Sequence, residues 1–429
     1  MNFKVLKRSH LKRKIIIGVI VVLIISAIIL NFTRAKYRVT QSIPLVNGTI
    51  NYSLADFNAV AIYINTDSGY TKTDTIPDGY VLNESESYCT VNGEEDTSIS
   101  LSYDTSTKSL SVTPMTTKGT KCYLYFDEKG ITNVEELIAN YSTVKTRTFP
   151  LTTSSKVEGN TTGVIYKSAN SNQYDNDGEV YYFAGNPSDN WVKWAGFYWR
   201  IIRINGNGSI RMIYQGTSPN TTGTKTQLQT STFNDDYNRS EYVGLKYTTG
   251  SQHGTGSNST IMGVLNRWYN SKLASYADDI DTNAGFCSDR NMGSGSSWSS
   301  QPSSIIYYAA YDRVTKTSSN VNPSFKCSNT SDILKIPVGL ITVDETVYAG
   351  LAWDANNSSN YLYTNQNYWT VSPRRFTGGR AYVFYVYLNG SLSNNRVDST
   401  FGVRPVINLK SNIQFSEGNG TSDKPFVVS

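Results

Sequence analysis

Two histidines in 429 residues leave little room for acid–base or nucleophilic catalysis. His10 precedes an apolar run that would keep it on the inner side of a membrane, so only His253 could serve an exported site. A Ser–His–Asp or Cys–His arrangement would have to use it. It stands in the polar segment QHGTGSNS, where an exposed or capping role is the plainer reading. HExxH, CxxC, GxSxG and P-loop patterns are absent. Asp175-Asn176-Asp177-Gly178 has the oxygen-rich opening of a calcium loop. The chain then runs into EVYYFAG instead of reaching a terminal acid, so a hairpin turn is expected. Asp278, Asp279 and Asp281 read as a solvated acidic cluster. Asp344 and Glu345 are the best candidates for a pair of working carboxylates. However, Thr342-Val343-Asp344-Glu345 is a capping box, which already occupies Glu345. Asp344 in the first turn suits the helix dipole. The expectation is a non-enzyme with no metal and no cofactor.

Binding is the stronger prospect. Between Ser372 and Thr400 the chain carries Arg374, Arg375, Phe376, Arg380, Tyr382, Tyr385, Tyr387, Asn394, Asn395 and Arg396. Tyr and Arg combine large contact area with adaptable hydrogen bonding. In RAYVFYVYLNG, Ala381, Val383, Phe384 and Val386 suit a core, and the three tyrosines would face outward. The alternation slips at Phe384, which suggests a bulge. The plainer reading is a Tyr-rich exposed strand with solvated loops. Arg404 sits among apolar residues and is expected in a structural ion pair, with Asp344 or Glu345 as partner. Trp199 and Trp369 are expected in the core, and Glu345 in a structural role.

These residues need elements to hold them, and a compartment. Residues 15–30 form an unbroken apolar run behind six basic residues in the first 14. The pattern fits an uncleaved membrane-spanning anchor with its basic end in the cytoplasm. A cleaved signal peptide is the alternative, and both place the remainder outside. Those six are part of 39 basic residues against 34 acidic ones, so the exported part is close to neutral. That argues against nucleic acid as a partner. Cys89, Cys122, Cys287 and Cys327 suit two disulfides in an oxidising compartment. Three pairings are open, and proximity along the chain favours Cys89–Cys122 and Cys287–Cys327. Hydrophobic residues at 38% exclude a disordered chain, and 31 tyrosines among many Ser, Thr, Asn and Gly predict strands with polar loops.

The expected order is a tail and anchor over 1–35, a disulfide-stapled β-sandwich over 36–128, and a linker with a short helix over 129–165. A larger domain follows over 166–415, and a tail over 416–429. The large domain opens with a hairpin, FYWRIIRI and SIRMIYQG around Asn205-Gly206. Helical spacing follows over 259–280, a second helix starts at Thr342, and strands close the domain.

Four pieces of that domain carry a resemblance: YWRIIRINGNGSIRMIYQG, GLITVDE (339–345), YWTVSP (368–373) and GVRPVINL (402–409). Together they resemble a family of bacterial surface proteins with a C-type-lectin-like fold, shared with formylglycine-generating-type domains and phage tropism determinants. The resemblance implies an α+β domain with a binding face at its C-terminal loops. It implies neither a particular ligand nor catalysis, because Cys287 and Cys327 precede the capping box instead of lying in the closing segment. The combined expectation is a membrane-anchored, extracellular adhesin or receptor-type module for a cell-surface glycan or protein. A structural wall or stalk component without a specific ligand is the alternative, and an extracytoplasmic enzyme ranks behind both.

Overall fold

The computed structural model describes residues 41–429, apart from 47–48, 51–56, 67, 115–118, 129, 152–155, 316–319 and 429. The apolar run expected to form an anchor lies outside the described residues. Among those described, no helix is long and apolar enough to cross a membrane. The chain divides into two compact units, 1–129 and 130–429. Among the described residues strand makes up 36% and helix 14%, so the expected α+β class is corrected to a mainly β protein. The few helices are short because the apolar spacing rarely holds a 3.6-residue period beyond three turns.

In the first unit, Gln41–Val46, Ser109–Thr113 and Ser100–Asp104 form one sheet. A second is built on the parallel pair Phe57–Thr66 and Thr120–Glu128. Along Thr120–Glu128 the side chains alternate between buried and more exposed. Cys122, Leu124 and Phe126 thereby meet Leu110 and Val112 of the other sheet in one core. Cys89 faces Cys122 directly across two antiparallel strands, and the two form a disulfide.

The second unit holds two larger sheets. In the first of them, Phe197–Ile204 and Ile210–Gly216 form the expected hairpin, which Val406–Leu409 extends. Nearly every side chain of this hairpin is buried, as a strand covered on both faces requires. Gly206 is needed in its turn for closeness rather than for a left-handed angle. A Cβ there would lie 2.2 Å from the Gly178 backbone nitrogen. That space lets the Asp175 carboxylate accept the Gly206 N–H at 2.9 Å.

The supposed linker belongs to this unit. Asn133 caps helix Val134–Ala139, and Val134 and Leu137 enter the main core. Thr143–Thr146 pairs in parallel with Val164–Lys167. The supposed C-terminal tail also pairs. Phe426–Val428 lies beside Trp191–Trp194, with Phe426 fully buried. Both corrections have one cause: a few apolar residues in a polar segment suffice to dock it on an existing sheet.

The other sheet runs Thr230–Thr232, Thr400–Gly402, Tyr368–Thr377, Arg380–Val386, Leu392–Arg396, with Ile306–Tyr307 also pairing to Tyr368–Thr377. Helix Thr260–Lys272, capped by Ser259, buries Ile261, Met262, Val264 and Leu265 against the core. It ends earlier than the spacing over 259–280 predicts, and Ala274–Asp279 continues as a 3-10 turn. Helix Val343–Tyr348 begins with the expected capping box, complete in both directions. Trp199 and Trp369 are fully buried, each with its indole N–H on a backbone carbonyl.

Candidate functional site

Two groups of arginines stand out in the second unit. The first surrounds a cavity of about 350 Å³. Arg203 and Arg211 come from the hairpin strands, where they interrupt apolar runs. Both reach Glu345 Oε1, at 3.0 Å and 2.6 Å, and Arg203 also reaches Asp175 at 3.3 Å. Burial opposes the charge on Glu345. Arg211, Arg203 and the Thr342 N–H outweigh it and hold the carboxyl below its ordinary pKa. Arg313 reaches Asp344 at 2.6 Å and Asp289 at 2.7 Å. Burial disfavours its charge too, but the two carboxylates raise its pKa above the usual value. The disulfide Cys287–Cys327 joins two residues of the cavity wall. Among the buried carboxylate oxygens of Asp175, Asp289, Asp344 and Glu345, only Asp289 Oδ1 lacks a donor. Burial accordingly raises the Asp289 pKa. The cluster is closed on itself, and its chemistry is that of a structural ionic core.

The second group lies on the sheet face built from the residues expected to bind. Tyr307 faces Arg375, Arg375 faces Tyr382, and Tyr382 faces Arg396, in register across four strands. Cross-strand partners share a face, so these half-buried side chains form one row. Tyr311 extends it by stacking on Tyr307, with ring centroids 4.0 Å apart. Arg375 lies 4.7 Å from the centre of the Tyr382 ring. Arg374 lies over Trp353 at 4.8 Å and Tyr311 at 5.1 Å.

The expected binding residues divide. Arg375, Tyr382 and Arg396 join the row, and Asn394 sits beside it, opposite Phe384. Asn395 faces Val383 and so belongs to the other side. Arg380 flanks the row, pairing with Asp398, which Arg396 also reaches. Tyr387 is exposed beyond the strand end. Phe376 and Tyr385 turn inward instead of outward, at 2% and 7% exposure. Tyr385 stacks on Phe401 with centroids 4.4 Å apart. Arg374 is 8% exposed and is largely enclosed by aromatic rings. The irregularity inferred near Phe384 lies in the facing strand, where the register shifts between Trp369 and Pro373 and again before Arg375.

Arg404 is fully buried, but its expected carboxylate partner is not there. It donates to the carbonyls of Tyr214 and Leu362 and to the Gln215 amide, and lies over Tyr368. Of the acids assigned to it, Glu345 is held by Arg203 and Arg211 of the hairpin and Asp344 by Arg313. Sequence reasoning missed Arg203 and Arg211, although the argument made for Arg404, a cation inside an apolar run, applies to both. It also missed Asp332, fully buried and shared by Arg290 and His253.

Residues 342–411 are similar to a family described as a domain of unknown function, DUF6273. That stretch spans Glu345 and the strands that carry Arg374, Arg375, Tyr382 and Arg396. No curated protein and no solved structure matches the chain.

Proposed function

We propose that this is an extracytoplasmic binding protein whose ligand contact is the Tyr–Arg row of the second unit. One observation carries the reading: Tyr307, Arg375, Tyr382 and Arg396 line up in register on one sheet face, each still partly exposed. A rigid sheet holds these side chains in place before the ligand arrives, which lowers the entropy lost on binding. Aromatic and arginine side chains are also the types that dominate contact energies. Two disulfides and no free cysteine among the described residues suit an oxidising environment outside the cytoplasm.

The test is binding of the full-length chain to a glycan array and to whole cells, beside Tyr382→Ala and Tyr307→Ala. Loss of about tenfold or more in either variant, with unchanged unfolding, supports the contact face. A wall or stalk component without a ligand would show no binding to lose.

A further inference from the structure

We infer that the ligand of this face presents an anionic group, the carboxylate or sulfate of an acidic glycan, to the neighbouring pair Arg374 and Arg375. The inference rests on the contact face proposed above and adds the ligand's chemical class.

Successive residues of a strand normally point to opposite faces. Here Pro373 faces Val383 and Arg375 faces Tyr382, so Arg374 is the extra residue of a bulge. Bulges re-aim side chains, and this one brings both guanidinium groups over one face of the adjacent strand. Arg375 lies over Tyr382 and Arg374 over Phe384, two residues further along.

Neither arginine has a carboxylate partner among the described residues. Arg374 makes one long hydrogen bond, 3.4 Å to Asn394, and the Nε atoms of both have no acceptor. Burial, with the charge of Arg375 added to it, pushes Arg374 down to about 10. The other buried arginines are provided for. Arg203, Arg211, Arg290 and Arg313 hold carboxylates, and Arg200 and Arg404 donate to carbonyl oxygens. Two desolvated like charges without an anion are costly, and an incoming anion removes that cost. A guanidinium fork matches the paired oxygens of a carboxylate or sulfate.

The surroundings favour a sugar acid over an acidic peptide. Tyr307, Tyr311 and Tyr382 offer ring surface to a flat ligand, and their hydroxyls add polar contacts. A peptide would add as a strand at the open sheet edge. That edge is already bridged at Leu392 by Trp353.

The experiment compares the full-length chain on neutral, carboxylated and sulfated glycans and on poly-glutamate. Arg375→Gln, Arg375→Lys and Tyr382→Ala are run beside it. The expected result is binding to acidic glycans that weakens with salt and falls about tenfold or more in Arg375→Gln, with Arg375→Lys recovering only part. Equal binding to neutral glycans, still lost in Tyr382→Ala, would overturn the anionic assignment while leaving the contact face standing. Tighter binding to poly-glutamate than to any glycan would overturn the glycan assignment. Binding to nothing, or binding insensitive to all three variants, would remove the contact face itself.

Discussion

Arg203, Arg211 and Arg313 on one side, and Arg374 and Arg375 on the other, are the same residue type in the same unit of the protein. The first three meet carboxylates that are themselves fully bonded, apart from one oxygen of Asp289. The second two meet aromatic rings and one distant amide. A buried cation with its counter-ion inside the fold is part of the architecture, and removing either partner strands the other. A cation with no counter-ion among the described residues leaves bonding capacity for something external. Exposure alone would not have separated the two groups, because Arg374 is as buried as Arg203.

The contrast can be broken by experiment. Glu345→Ala leaves Arg203 and Arg211 without their shared carboxylate and opens the capping box. It should cost about 3–5 kcal/mol in urea unfolding. A loss below 1 kcal/mol would mean that the paired cluster is not structural. Replacing Cys287 and Cys327 together by Ser should cost about 2–4 kcal/mol by releasing the loop that closes the cavity wall, read as a lower thermal midpoint. The paired cluster should also be acid-sensitive. The Glu345 pKa is lower in the folded state, so its stabilisation is present above the ordinary carboxylate pKa and is lost as pH falls through the folded value. Glu345→Gln should flatten that part of the stability-against-pH curve. Asp398→Asn should change stability by less than about 1 kcal/mol, since its ion pairs are partly exposed. By freeing Arg380 and Arg396 it should tighten binding of acidic glycans. Arg375→Gln should be the mildest, within about 0.5 kcal/mol in unfolding, while its binding defect is large. A large stability loss there would place Arg375 with the first group.

Local elements of the second unit were legible, although the fold class was not. The hairpin around residues 205–208, the capping box at Thr342 and the helix after Ser259 are local patterns, and local hydrogen bonds satisfy them. The docking of 130–146 and of 415–428 was not legible, because it depends on open sheet edges that strands far away in the chain supply. In the candidate site, alternation placed Tyr382 correctly and failed for Tyr385. A strand covered on both faces has no outward side for alternation to report.

The amino-acid sequence alone determined that this chain is rich in strands and turns and that its cysteines can pair. Those are properties of residue type and short-range spacing. The tertiary structure decided which arginine meets which acid, since ion pairs are settled by distance in space among residues as far as 142 positions apart in the chain. It also decided that one bulge would set two arginines side by side with no acid in reach among the described residues.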